Sequence, residues 1–140
     1  MTFIAEDRAV TTNTDGNRLQ TIASRLRKHL PKIAERRVPT TYQELAKALG
    51  LTPPHTIHQV TEALARLMAE DAAAHRPFIA AMAISKARGG LPAPGFFDRA
   101  RRLGRFAGDE ARPEAWAYHE REFNAAIAFW AATATTGKNG

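Results

Sequence analysis

Residues Thr40 to Leu51 read "TTYQELAKALGL", and the way this stretch folds decides how its neighbours must be arranged. Thr41 followed three positions later by Glu44 has the spacing of a capping box, in which each side chain satisfies the other residue's free backbone amide. Leu45, Ala48 and Leu49 supply a buried stripe at helical spacing, and Gly50 supplies a left-handed stop. The sequence therefore predicts a helix of about two turns, too short to be stable alone, so that neighbouring elements must hold it.

Downstream, Thr52-Pro53-Pro54 makes a rigid turn, and proline is favoured at first helical positions. In "HTIHQVTEALARLMAEDAAA", Ile57, Val60, Leu64, Leu67 and Met68 share one face, whereas His55, His58, Gln59, Glu62 and Arg66 fall elsewhere. A short helix, a Pro-containing turn and a longer helix make a helix-turn-helix. Pro77 then precedes "FIAAMAIS", an apolar run of strand length whose alanines leave strand and buried helix both open. The glycines and prolines of "ARGGLPAPG" predict a tight exposed loop, with Phe96 and Phe97 anchoring its return ahead of a basic helix that runs through Leu103-Gly104. A helix-turn-helix followed by a strand and a Gly-rich loop is the order of a winged helix, with Lys86 and Arg88 on the wing.

Upstream, residues 1–16 lack a helical period and read as a flexible N-terminal arm. Asn17 can cap a first helix, whose Leu19, Ile22, Leu26, Leu30 and Ile33 share one face and whose other face carries most of a basic block. Pro31 predicts a kink or interruption there. Near the C-terminus, Trp116, Phe123, Ile127 and Trp130 recur on one side of a helix over residues 114–132, a core stripe by its spacing. Residues 133–140 read as a disordered tail. The fold class expected is mainly α with a small β-wing: a winged helix-turn-helix with flanking N- and C-terminal helices, a single domain over residues 17–132 with its core at 38–104.

Composition limits what such a domain can do. A chain of 140 residues with 44% hydrophobic and 24% charged side chains fits one domain with a real core. It has no cysteine, which excludes disulfides, thiolate catalysis and cysteine-bound metals. No stretch approaches the roughly 20 apolar residues of a membrane span, and no secretory signal is visible; a cytoplasmic protein is expected, nucleoid-associated in a bacterium. The net charge of +6 is concentrated in two blocks. Arg18, Arg25, Arg27, Lys28, Lys32, Arg36 and Arg37 face the single acid Glu35, and Lys86, Arg88, Arg99, Arg101, Arg102 and Arg105 face Asp98. Two such blocks are the electrostatic footprint of a polyanion partner, most often nucleic acid.

Catalytic and cofactor signatures are weak by comparison. His55 and His58 stand three apart on one helix, a spacing that can share a metal, but no motif supplies a third ligand, so no metal or cofactor is expected. Glu70 and Asp71, Asp109 and Glu110, and Glu120 and Glu122 read as helix-surface charges. The glycines of "RGGLPAPG" match neither a phosphate-binding loop nor a dinucleotide fingerprint.

"VPTTYQELAKALG" followed by "HQVTEAL" resembles the DNA-binding winged-helix domain of O6-alkylguanine-DNA alkyltransferases and alkyltransferase-like proteins. That family has a VP turn, a T/S-Y-x-E/Q-L-A helix, a glycine and an A-R-A-V-G-x-A-L recognition helix. The likeness covers Val38 to Leu103, about half of the chain, and "AISKARGGLPAPGFF" falls where the family has its active-site strand and the glycine-rich turn after it. The resemblance implies that Tyr42 presses on a DNA phosphate. It also places His58 where the family has its duplex-entering arginine, once a two-residue insertion at Pro53-Pro54 is allowed. The family's P-C-H-R motif should lie near Ala80 to Met82 and is missing, so the alkyl acceptor is missing with it.

The function expected is thus non-enzymatic binding of double-stranded DNA, as a transcriptional regulator. His55, Thr56, His58 and Gln59 would face base edges in the major groove. Thr41, Tyr42 and Gln43 would touch phosphate, and Lys86, Arg88, Arg99, Arg101 and Arg102 would add phosphate or minor-groove contacts. Two alternatives stand beside it: a protein-interaction module, pairing as a homodimer or with another protein through the C-terminal helix, and a DNA-processing enzyme.

Overall fold

The computed structural model describes residues 2–109 and 113–139, with side chains at 16–109 and 113–132. Among these, helix α1 (Thr2–Arg36) is followed by strand β1 (Thr40–Thr41), helices α2 (Tyr42–Ala48) and α3 (Thr56–Ala73), strand β2 (Ala83–Ile84), and helices α4 (Pro94–Arg102) and α5 (Pro113–Asn139). The chain is mainly helical, with one small two-stranded sheet.

The capping box forms as its spacing requires. The Glu44 amide donates to Thr41 Oγ1 at 3.0 Å, and the Thr41 amide donates to Glu44 Oε1 at 2.9 Å. Gly50 takes φ +62°, the left-handed value that favours glycine. Val60, Ala63, Leu64, Leu67 and Met68 bury one face of α3. Ile57 does not follow them: it is 37% exposed, because the first turn of α3 projects past the core. Helix α1 runs through the positions read as an arm and an Asn17 cap, and continues through Pro31, which is buried. At the other end α5 extends to Asn139; the side chains of the expected tail lie outside those described.

The stretch 78–91 departs most from its sequence reading. Ile79–Met82 is a 3-10 turn, and only Ala83–Ile84 forms strand. The reason lies in where the amides go: Phe78 N–H donates to Glu122 Oε2 at 2.7 Å and Ile79 N–H to Asp71 Oδ2 at 3.1 Å, so neither is left for a strand partner. Strand β2 pairs in parallel with β1, Thr40 opposite Ala83 and Thr41 opposite Ile84. The glycine-rich stretch is therefore not the tip of an antiparallel hairpin. It closes on itself around a 3-10 turn at Lys86–Arg88, through Ser85 N–H to Leu91 O at 2.8 Å and Gly90 N–H to Ser85 O at 3.2 Å.

Asp71 was expected at the surface and is instead fully buried. Its Oδ1 accepts from Arg27 Nη1 of α1 at 2.8 Å and from Arg76 Nε at 3.1 Å, while Oδ2 takes the Ile79 amide. Burial pushes its carboxyl above the ordinary carboxylate range, and the Ile79 amide and the two guanidiniums pull against that shift. Both guanidiniums also lie over the Trp130 ring of α5, 5.2 and 5.4 Å from its centroid, and Trp130 Nε1–H donates to Pro77 O at 3.1 Å. Trp130 and Ile127 are thus core residues, as their spacing predicts, whereas Trp116 is 51% exposed. Glu122 is likewise structural: besides the Phe78 amide it meets Arg105 Nη2 at 3.6 Å, and Arg105 in turn lies over the Phe78 ring.

Replacing Asp71 by Ala leaves the Arg27 and Arg76 guanidiniums and the Ile79 amide without their acceptor. Breaking a buried ion pair from one side costs on the order of 3–5 kcal/mol, and a urea titration will show the midpoint drop. His119 gives a pH signature. It is buried, with Nε2 2.9 Å from the Ala81 carbonyl, and burial lowers its pKa despite that hydrogen bond and the nearby Glu122 carboxylate. Above the ordinary value of about 6.5 it is neutral in both folded and unfolded chains. Below that value the unfolded chain takes the proton first, so the His119 contribution to stability is lost as pH falls. Stability of His119→Gln will fall less steeply than wild type between about pH 6.5 and 5; His29, lowered by burial and by Lys32 and Arg36, leaves a residual slope in both.

Candidate nucleic-acid interface

The outer side of the first two turns of α3 is exposed at Ile57, His58 and Glu62, over the buried Val60, and most of the predicted site residues border it. His55, at the helix start with φ +60° and no side-chain cap, is exposed, as is His58, and Thr56 is half-buried. On one side, Thr41, Tyr42 and Gln43 from the start of α2 border a small cleft with Ile57, Ser85 and Lys86. On a second side, Thr61 and Glu62 share a cavity of ≈ 170 Å³ with Tyr42, Phe96, Arg99 and Arg102. On the third, Arg18 and Leu19 of α1 face Pro54, His55 and His58 across a groove of ≈ 660 Å³.

The basic groups on this rim differ in how much of their charge is free. Lys86, Arg99 and Arg18 make no ion pair with a described residue. Arg102 lies 3.3 Å from Asp98. Arg101 belongs to the fold: it donates to Gly108 O at 3.0 Å and lies 5.5 Å from the Phe106 ring centroid. Arg88 is half-buried, and its Nη1 is enclosed without a hydrogen-bond partner. Glu62, in the second turn of α3, has its carboxylate 3.8 Å from His58 Nε2.

Three residues assigned to ligand contact carry structural bonds. Tyr42 is buried, with its hydroxyl accepting from the Ala93 amide at 2.8 Å; it is a strut between α2 and the loop before α4, not a surface group. Burial pushes its pKa up to about 12, against the pull of the Ala93 bond and Arg88, so it stays a neutral phenol. Gln59 spends its amide protons on Thr52 O at 3.2 Å and Pro54 O at 3.0 Å, bracing the turn between α2 and α3. The Thr41 amide is taken by Glu44. Gln43 remains exposed.

Sequence reasoning missed Thr61 and Arg18. Thr61 lies one helical turn from His58, so helical periodicity could have placed it on the same side. Arg18 sits beside α3 only because α1 packs there, with Arg66 Nη1 donating to Gln20 Oε1 at 2.9 Å, and no local signal carries that. The strand facing β1 is Ala83–Ile84, later than the Ala80 to Met82 stretch where the alkyltransferase motif was sought, and it too lacks a cysteine. Among the described residues no three histidine or carboxylate side chains gather to hold a metal ion, and no helix is long and apolar enough to cross a membrane. No protein-family model matches the chain, and neither a curated protein nor a solved structure matches it.

Tyr42→Phe keeps the packing but leaves the Ala93 amide without its acceptor. A loss of about 1–3 kcal/mol is expected for such an unsatisfied group. Urea midpoints measure it, and faster amide exchange at Ala93 will localise it.

Proposed function

We propose that this chain is a non-enzymatic protein that binds double-stranded DNA as a winged helix-turn-helix, with the exposed end of α3 entering the major groove, and that it acts as a transcriptional regulator. The observation that carries this reading is the set of cations bordering the exposed start of α3: Lys86 on one side, Arg99 and Arg102 on another and Arg18 on the third, against the acids Asp98 and Glu62. A groove-reading helix needs base-contacting groups on its axis and phosphate-contacting cations at its flanks, because phosphate contacts position the protein while base contacts specify the site. His55, Thr56 and His58 supply the first and the rim cations the second. The resemblance to the alkyltransferase DNA-binding domain points the same way, with a strand and a glycine-rich turn in the order it implies and no cysteine to accept an alkyl group.

The competing reading, a protein-interaction surface on α5, rests on exposed Trp116 and Phe129. Thirteen positions separate them, about 220° around a helix, so they do not form one face. A duplex-binding titration tests the leading proposal. Affinity will fall steeply with salt, and Lys86→Ala/Arg99→Ala will make the log–log slope shallower by about 0.9 for each lost phosphate contact. Absence of binding at low salt, or a slope indifferent to both substitutions, overturns it; cleavage that requires added Mg²⁺ transfers the case to the enzyme reading.

A further inference from the structure

Most arginines that hold this fold together have an anionic or carbonyl partner: Arg27 and Arg76 on Asp71, and Arg105 on Glu122 and the Arg76 carbonyl. The cations on the outer side of α1 are built differently. Arg18, Arg25, Lys28, Lys32 and Arg36 are all exposed, and none has a hydrogen bond or ion pair with a described residue. At 100° per residue the five fall within about 80° of arc, in one stripe about 27 Å long. The adjoining side of the helix, centred about 110° round from the stripe, carries Ile22, Leu26, Leu30 and Ile33 and is buried in the core.

The stripe is costly to the fold taken alone. Lys28 and Lys32, and Lys32 and Arg36, are like charges four apart, an arrangement that destabilises a helix. The repulsion reaches His29, whose pKa is lowered first by burial and then by Lys32 and Arg36. A solvated face needs no such array, since interspersed acids would keep it soluble and relieve the repulsion. An anionic lipid surface suits it poorly as well, because an interfacial helix inserts its apolar side and that side of α1 is occupied by the core. The direction of the stripe favours nucleic acid: Arg18 at one end lines the groove beside His55 and His58, so the positive track starts at the tip of α3 and runs away along α1.

We infer that the outer face of α1 is a second duplex-contact surface, a track that follows the phosphate backbone beyond the site engaged by α3 and lengthens the footprint. At one phosphate per 3.4 Å of each strand, 27 Å of helix spans about 8 base pairs. The inference rests on the reading that duplex DNA is the partner, but it concerns a different face. Its contacts are to phosphate alone, so it adds affinity and salt dependence without sequence preference.

The test compares the full chain with three variants on duplexes of increasing length, across a salt series. In Arg25→Gln/Lys28→Gln/Lys32→Gln the slope of log affinity against log salt will be shallower by about 2–3 on long duplexes, with a shorter protected footprint and a thermal melt no lower than that of the wild type, since like-charge repulsion is relieved. Arg25→Lys/Lys28→Arg/Lys32→Arg, which keeps the charge, will retain the wild-type slope. A glutamine variant with wild-type slope, affected only by Lys86→Ala/Arg99→Ala, overturns the track and leaves the α3 reading standing. The reverse pattern supports the track and removes α3. Wild-type protein that ignores duplexes, or that loses only its binding to phosphatidylserine vesicles when the stripe is neutralised, overturns the track outright.

Discussion

One buried carboxylate organises this domain. Asp71 draws a guanidinium from α1, another from the segment after α3, and the amide that opens the 3-10 turn. A bare carboxylate in an apolar core is prohibitively expensive, so the charge requires its partners to be present together. Because both guanidiniums also lie on Trp130, the same requirement ties α5 to the cluster. The position of α1 against α3, and of the chain leaving α3, follows from it.

The next layer depends on that placement. With Ile79 held by Asp71 and Phe78 by Glu122, the backbone turns before it extends, and Ala83–Ile84 arrives beside Thr40–Thr41. The short parallel pairing places the 85–91 loop against the start of α2. Tyr42 then fastens the following segment through the Ala93 amide. At the start of α3 only the outer side is open: His55, Ile57, His58 and Glu62 are exposed, while Val60 and Ala63 are buried beneath them.

Charge is divided accordingly. Cations whose geometry the fold needs are paired and partly desolvated, where charge-assisted bonds are strong. Cations around α3 and along α1 are mostly left open to solvent. An excess of positive charge that is unpaired among the described residues is a standing cost to the compact state.

Much of the local structure was legible in the sequence: the Thr41–Glu44 capping box, the Gly50 stop, the buried side of α3 and the apolar sides of α1 and α5. These follow from short-range rules, because the partners lie within a turn or two of each other. The environment of single polar residues was not legible. Asp71 and Glu122 look like surface acids in sequence, and Tyr42 and Gln59 look free to meet a ligand; only the folded chain shows their partners, 44 residues away for Asp71 with Arg27 and for Glu122 with Phe78, and 51 for Tyr42 with Ala93. How the strand before the glycines pairs was not legible for a related reason, since strand direction depends on which segment lies alongside. The sequence by itself determined the capped α2, the apolar faces of α1, α3 and α5 apart from Ile57 and Trp116, and the excess of positive charge, but not where α1 begins or α5 ends. Which charges are paired, how the two strands run and where the basic residues stand relative to α3 were decided by tertiary packing, because burial and long-range hydrogen bonding assign a polar group its partner and periodicity does not.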